Sequence, residues 1–168
     1  LHEAGDVSGH AAGRDDPLQL RVGDHQLLED ARVRERDPLG RAAPEVEALS
    51  PGEGRACALN FDVEQVVVLW ANGAHGLVYA FDEVEGGEII VDGHVVARIR
   101  RGEARKSLDV LAPDAEQVVL RLMFADVRHP EFELALWDAA LPVETGSPGE
   151  ALRLGRRWLS HLEALLKG

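Results

Sequence analysis

From Arg55 onward the chain consists of short apolar runs separated by turn signals at a spacing of roughly eight to twelve residues, the pattern of an antiparallel β domain. This feature narrows the fold more than any other. A two-residue period sends alternate side chains to opposite faces of a sheet, whereas a helix needs a period near 3.6. The runs fall at residues 56–61, 66–71, 77–81, 88–91, 94–100, 118–125 and 132–137, with a weaker one at 107–111. About seven strands are therefore expected. Asn72-Gly73 and Asp92-Gly93 accept the positive backbone angles of tight hairpins, and Asp92-Gly93, flanked by runs on both sides, is the best hairpin signal in the chain. Residues 118–125 alternate clearly, with Val118, Leu120, Leu122 and Phe124 on one face and Arg121 and Met123 on the other.

The last element has a different period. Ser147 is an expected N-cap, Pro148 sits at the first helical position, and Glu150 is placed to close a capping box. Beyond them Ala151, Gly155, Trp158, Leu162 and Leu165 recur at three- and four-residue spacing, and Leu152, Leu159 and Leu166 widen the stripe. Such a helix must lie on something apolar, and the open end or face of the preceding sheet is available. The expected fold is mainly β (α+β): an antiparallel bent sheet or partly open barrel, capped by one C-terminal amphipathic helix, over residues 55–168.

Residues 1–54 lack a lasting period and are expected to be loosely ordered or peripheral. Residues 24–36 could form one helix with Leu27, Leu28, Ala31 and Val33 on a ragged face, closely bounded by Pro38 and Pro44.

Apolar residues make up 45% of the chain and aromatics 5%, so the core must be mostly aliphatic. A formal net charge of -12 argues against nucleic-acid binding, which needs a surplus of cations on some face. The single cysteine, Cys57, rules out an intramolecular disulfide and a Cys-based zinc site from this chain alone, and points to a reducing, cytoplasmic compartment. No apolar stretch approaches the roughly 20 residues that span a bilayer, and no signal peptide is expected at the start.

Strands followed by one C-terminal helix with a central tryptophan, here Arg157-Trp158-Leu159 and Leu162, resemble the pleckstrin-homology-like (PH-like) arrangement. The stretches ACALNFDVEQVVVLW, LVYAFDEVEGGEIIVDGHVVARI and VVLRLMFADVRHPEFELALWD are similar to short bacterial and phage-borne proteins of unknown function that carry a PH-like β domain. In that group, the resemblance implies, an aromatic-Asp pair leads to a strand ending in Asp-Gly, here Phe81-Asp82 and Asp92-Gly93. The likeness covers about 110 residues and implies a fold rather than an activity, since one fold hosts many functions.

Candidate chemistry is sparse. Arg98, Arg100, Arg101, Arg105 and Lys106 reverse the local charge around a loop, which fits either an anion site for a phosphorylated head group or acidic peptide, or a solvated loop offsetting Glu103, Asp109 and Asp92. His75, His94, His129 and His161 fall in different elements and form no ligand motif. Cys57 reads as a small buried hydrophobe, and Ser50, Ser107 and Ser160 lack a nucleophile elbow. Gly52 and Gly54 precede no Lys-Ser or Lys-Thr, and Gly86-Gly87 ends in Glu88, so no phosphate loop is expected. Trp70, Trp137 and Trp158 could line a ligand groove, but each sits in an apolar periodic element, where core packing is the commoner role, and they read as core.

No cofactor or metal is expected. The functional expectation is a non-catalytic module that binds a protein segment along an exposed strand edge or in the groove between sheet and helix. Peripheral binding to anionic lipid through the loop from Arg98 to Lys106, and an enzyme whose residues converge only in three dimensions, are the alternatives. The sequence names neither a partner nor an oligomeric state.

Overall fold

The computed structural model describes residues 46–141 and 146–168. Residues 1–45, with the helix expected at 24–36, lie outside them. Among the described residues nine strands form two antiparallel sheets, followed by one helix, and no closed barrel results. The first sheet is a meander of β1 (Val46–Gly52), β2 (Arg55–Asn60), β3 (Gln65–Trp70) and β4 (His75–Ala80). A single 3-10 turn, Phe81–Glu83, leads into the second sheet. That sheet holds β5 (Val84–Val91), β6 (His94–Arg100), β7 (Lys106–Ser107), β8 (Gln117–Phe124) and β9 (Glu131–Asp138), in the order β7-β6-β5-β8-β9. Helix α1 spans Pro148–Lys167.

Two sheets replace the expected single bent sheet of about seven strands, and the differences have local causes. Strand β1 falls within the segment read as peripheral, yet it pairs with β2 from Val46↔Asn60 to Gly52↔Arg55. Pro51 interrupts its apolar alternation. An edge strand tolerates proline at an irregularity, and the register shifts between Leu49 and Gly52. Glu53 (φ 55) and Gly54 (φ 65) close this hairpin in the left-handed region. The run expected at 107–111 pairs over Lys106–Ser107 alone. Beyond it the chain is drawn aside by α1, because the Arg156 guanidinium donates to the carbonyls of Leu108 (3.3 Å) and Val110 (2.8 Å).

The turns form where their chemistry demands. Asn60 Oδ1 accepts from the backbone N–H groups of Asp62 (3.0 Å) and Val63 (3.3 Å), the geometry that lets an Asn side chain imitate a turn. Asn72 (φ 56) and Gly73 (φ 81) occupy the β3–β4 connection. Asp92 (φ 47) and Gly93 (φ 80) form the expected β5–β6 turn. Asp92 does more than turn the chain, since its Oδ1 accepts from the N–H groups of Glu116 (3.0 Å) and Gln117 (2.8 Å) and so fixes the entry to β8.

Both sheets and α1 share one core. Leu59, Val66, Ile89, Leu120, Leu122, Leu134, Leu159 and Leu162 are fully buried within it. Ser147 caps α1 as expected, its Oγ accepting from the Glu150 N–H at 3.2 Å. The apolar stripe faces the second sheet, with β5 the nearest strand. Close approach depends on Gly87: a Cβ there would lie 2.5 Å from Leu162 Cδ1 and 3.2 Å from Leu159 Cδ2. Trp158 keeps 2% of its surface. Its indole ring meets the His161 ring edge-on at 6.1 Å.

On the face of the second sheet away from α1, charges alternate across neighbouring strands. Glu88, 5% exposed, lies 3.2 Å from Arg121 and 3.8 Å from Arg100, while Arg121 also meets Glu133 at 2.6 Å. The hydrogen bond to Glu133 is the main cause that holds the Arg121 guanidinium even more firmly protonated than usual. Pairing of this kind offsets the cost of burying the polar end of Glu88.

Candidate functional site: a cleft beside a free strand edge

The meander places Arg55, Trp70 and His75 at one end of the first sheet and Glu47, Asn60 and Ala80 at the other. At the second end α1 is tied to β1, with Arg157 donating to Glu47 at 3.2–3.3 Å. Toward the first end the two sheets part, leaving a cleft of about 180 Å³. Val68, Trp70, Leu77 and Tyr79 of β3 and β4 form one wall, and Phe124, His129, Glu131 and Phe132 of the β8–β9 hairpin form the other. Arg55 lines the cleft from the start of β2.

Rings dominate this surface. Tyr79 stacks on Phe124 at 4.0 Å, Trp70 stacks on His75 at 5.8 Å, and Trp70 lies 6.5 Å from Phe132. The Arg55 guanidinium sits over the Phe132 ring at 5.5 Å and donates to the Glu133 carbonyl at 2.9 Å. The remaining polar groups are mutually engaged. Tyr79 donates to Asp126 Oδ2 at 3.1 Å, and the Arg128 N–H donates to Asp126 Oδ1 at 2.8 Å. His129 Nδ1 is 3.4 Å from Asp126, and Arg121 is 3.5 Å from Glu131.

Two of these groups, the Tyr79 hydroxyl and the Asp126 carboxyl, are shifted in opposite directions. Burial, then the hydrogen bond to Asp126 and its charge, push the Tyr79 hydroxyl up. The Arg128 backbone N–H, with further help from Tyr79 and His129, holds the Asp126 carboxyl below its ordinary value despite some desolvation. A carboxylate with a lowered folded value stabilises above its unfolded pKa, and that stability is lost as pH falls through the folded value. Asp126→Asn is therefore expected to be less stable than the parent at pH 7, with the difference vanishing in strong acid. Urea melts between pH 7 and pH 2 measure this, and a difference that grew on acidification would oppose the assignment.

Strand β4 forms the lip of the cleft. Among the described residues its outer edge pairs with no strand. The Phe81 N–H donates to the Glu64 carbonyl at 2.9 Å, so by the alternation of an antiparallel ladder the main-chain groups of Tyr79 and Leu77 also point to β3. Those of Gly76, Val78 and Ala80 point away from it. The Ala80 N–H is taken by Glu83 Oε2 at 2.8 Å, which blunts one end of the edge. Gly76 and Val78 remain as the edge's outward main-chain donors and acceptors, and the Val78 side chain is 49% exposed.

The basic run lies elsewhere, and each of its members has a partner within the chain. Arg98 and Lys106 flank Glu103 at 3.8 and 3.9 Å, and Arg100 meets Glu88 at 3.8 Å. Arg101 donates to the carbonyls of Phe81 (2.7 Å) and Val84 (2.9 Å), so it serves the junction between the sheets. Arg105 donates to Ser160 Oγ at 3.1 Å and lies 3.7 Å from Glu163. Lys167, more than Arg105, holds the Glu163 carboxyl low. Arg98, Arg105 and Lys106 nevertheless share a wide groove of about 590 Å³ with Val95 and Leu108.

Cys57 is 1% exposed, and burial pushes its thiol far up, as expected of an inert hydrophobe. An aromatic disulfide reagent should label it only after denaturation, and stoichiometric labelling of the native chain would contradict its placement. Trp137 is half-buried, and its indole N–H donates to the Ala115 carbonyl at 3.0 Å. Trp70, read as core, is half-buried and walls the cleft. Among the described residues no group of three His, Cys, Asp or Glu is placed to hold a metal, and no helix is long and apolar enough to cross a membrane. Compared with known proteins, the chain matches no family model, no curated protein and no solved structure.

Proposed function

We propose that this domain, PH-like in arrangement and non-catalytic, captures an extended segment of another protein along β4. The observation that carries the proposal is the conjunction of an edge that pairs with no strand among the described residues and a cleft that shares the same strand. Outward main-chain groups at Gly76 and Val78 offer a ladder to an incoming strand. Leu77 and Tyr79 of the same strand line the cleft, so alternate side chains of the added strand would hang over its aromatic floor. Main-chain pairing would supply affinity. The cleft, large enough for one apolar or aromatic side chain, would supply selectivity.

Selection from a random displayed-peptide library against the full chain tests this. Enriched peptides are expected to carry an apolar or aromatic residue at every second position, and Trp70→Ala should weaken them about tenfold or more, the scale of a truncated aromatic anchor. Enrichment with no such alternation, or binding indifferent to Trp70, would contradict the proposal.

A second reading, contact with anionic lipid, draws on the groove that gathers Arg98, Arg105 and Lys106 beside Val95 and Leu108. The internal partners of these cations weaken it. Arg105→Glu with Lys106→Glu is expected to leave sedimentation with phosphatidylserine vesicles unchanged, and a marked loss would favour the lipid reading.

A further inference from the structure

The register of the first sheet fixes a second face, opposite the core. Its cross-strand rows are Ala48–Ala58–Val67–Val78 and Ala56–Leu69–Gly76, flanked by Val46–Asn60–Gln65–Ala80. No charged residue stands in any of these rows. An antiparallel sheet with one face on the core ordinarily turns a polar face to water, and β2 and β3 instead read apolar on both sides. Ala56, Ala58 and Leu69, at the centre of this face, keep only 6–7% of their surface, whereas Val78 at the free edge keeps 49%. The core shared with the second sheet and α1 takes Cys57, Leu59, Val66 and Val68 from these strands, and Ala56, Ala58 and Leu69 lie outside it.

We propose that residues 18–33 of this same chain cover that face. The chain enters the sheet at Val46, in the row that borders the face, after 45 residues that lie outside the described structure. Within them Leu18, Leu20, Val22, Leu27, Leu28 and Val33 are concentrated in one stretch, interleaved with Arg21, Asp24, Glu29, Asp30 and Arg32. The link from Val33 to Val46 is ample, since an extended chain spans about 3.3–3.6 Å per residue and a four-stranded sheet is only about 15 Å wide. Small side chains at Ala48, Ala56, Ala58 and Gly76 leave a shallow floor that accepts branched aliphatic residues, while the interleaved charges face water. Tethering gives the segment an effective concentration on the order of millimolar, which favours it over a second copy at ordinary protein concentrations.

A photo-crosslinker reads the occupant directly. With p-benzoylphenylalanine in place of Val67 in the full chain, and light and heavy isotopic copies mixed, irradiation is expected to join position 67 to peptides from residues 18–33 of the same copy. Leu27→Asp with Leu28→Asp should abolish that adduct. Adducts joining light to heavy copies would assign the face to a second copy and overturn the proposal, as would adducts to other segments or none at all. Without the crosslinker, Leu27→Asp with Leu28→Asp is expected to raise apolar-dye fluorescence several-fold at unchanged far-ultraviolet dichroism. No rise would overturn the proposal independently.

Discussion

Trp158→Ala is expected to lower the stability of this protein by about 3–5 kcal/mol, the usual range for truncating a buried indole. Neighbouring Leu152, Leu159 and Leu162 are themselves 0–2% exposed, so the core has little freedom to fill the gap. The loss is a large fraction of the roughly 5–15 kcal/mol that holds a typical domain together. Urea denaturation at pH 7 measures it, with Trp158→Phe as the conservative comparison, which should recover much of the difference. A change below about 1 kcal/mol would mean that α1 is not packed as described, because surface substitutions rarely exceed that scale.

Val78→Pro is expected to abolish binding of library-selected peptides while leaving the fold intact. Proline removes the N–H of residue 78, which points away from β3 and takes no part in the existing ladder. Edge strands accept proline at such positions, so the cost to folding is small, whereas an added strand loses a donor and meets the pyrrolidine ring. A drop in affinity of about tenfold or more, at unchanged urea midpoint, is the predicted pair of results. Leu77→Pro is the contrasting variant: its N–H lies on the β3 side of the ladder, and it should destabilise the domain itself. Equal binding by Val78→Pro and the parent would remove the β4 edge from the account.

Much of this architecture is legible in the residues. The alternation of Val118, Leu120, Leu122 and Phe124 marks one inward face, Asp92-Gly93 marks a turn, and Ser147 with the stripe through Trp158 marks a capped, buried helix. Each rests on local chemistry, which a sequence displays directly. The division into two sheets is less visible, because it depends on which strands pair, and short runs of similar composition do not encode their neighbours. Strand β1 was hidden by Pro51 and by its weak apolar pattern, although Gly52-Glu53-Gly54 carried the hairpin signal that could have revealed it. The cleft was harder still. Its rings come from Trp70, Tyr79, Phe124 and Phe132, on four strands, and nothing in their spacing announces that they meet. Conversely, the basic run from Arg98 to Lys106 is conspicuous in sequence yet largely occupied by Glu88, Glu103, Glu163 and backbone carbonyls in the fold.

The claim that β4 receives a partner strand meets its most direct test in a nitrogen-15 NMR titration of the full chain with a library-selected peptide. The amides of Gly76 and Val78 and the Trp70 indole N–H are expected to shift together and saturably, with intermolecular contacts between the peptide backbone and β4. Saturable shifts confined to the groove near Arg105 and Leu108, with Gly76, Val78 and Trp70 unmoved, would contradict it.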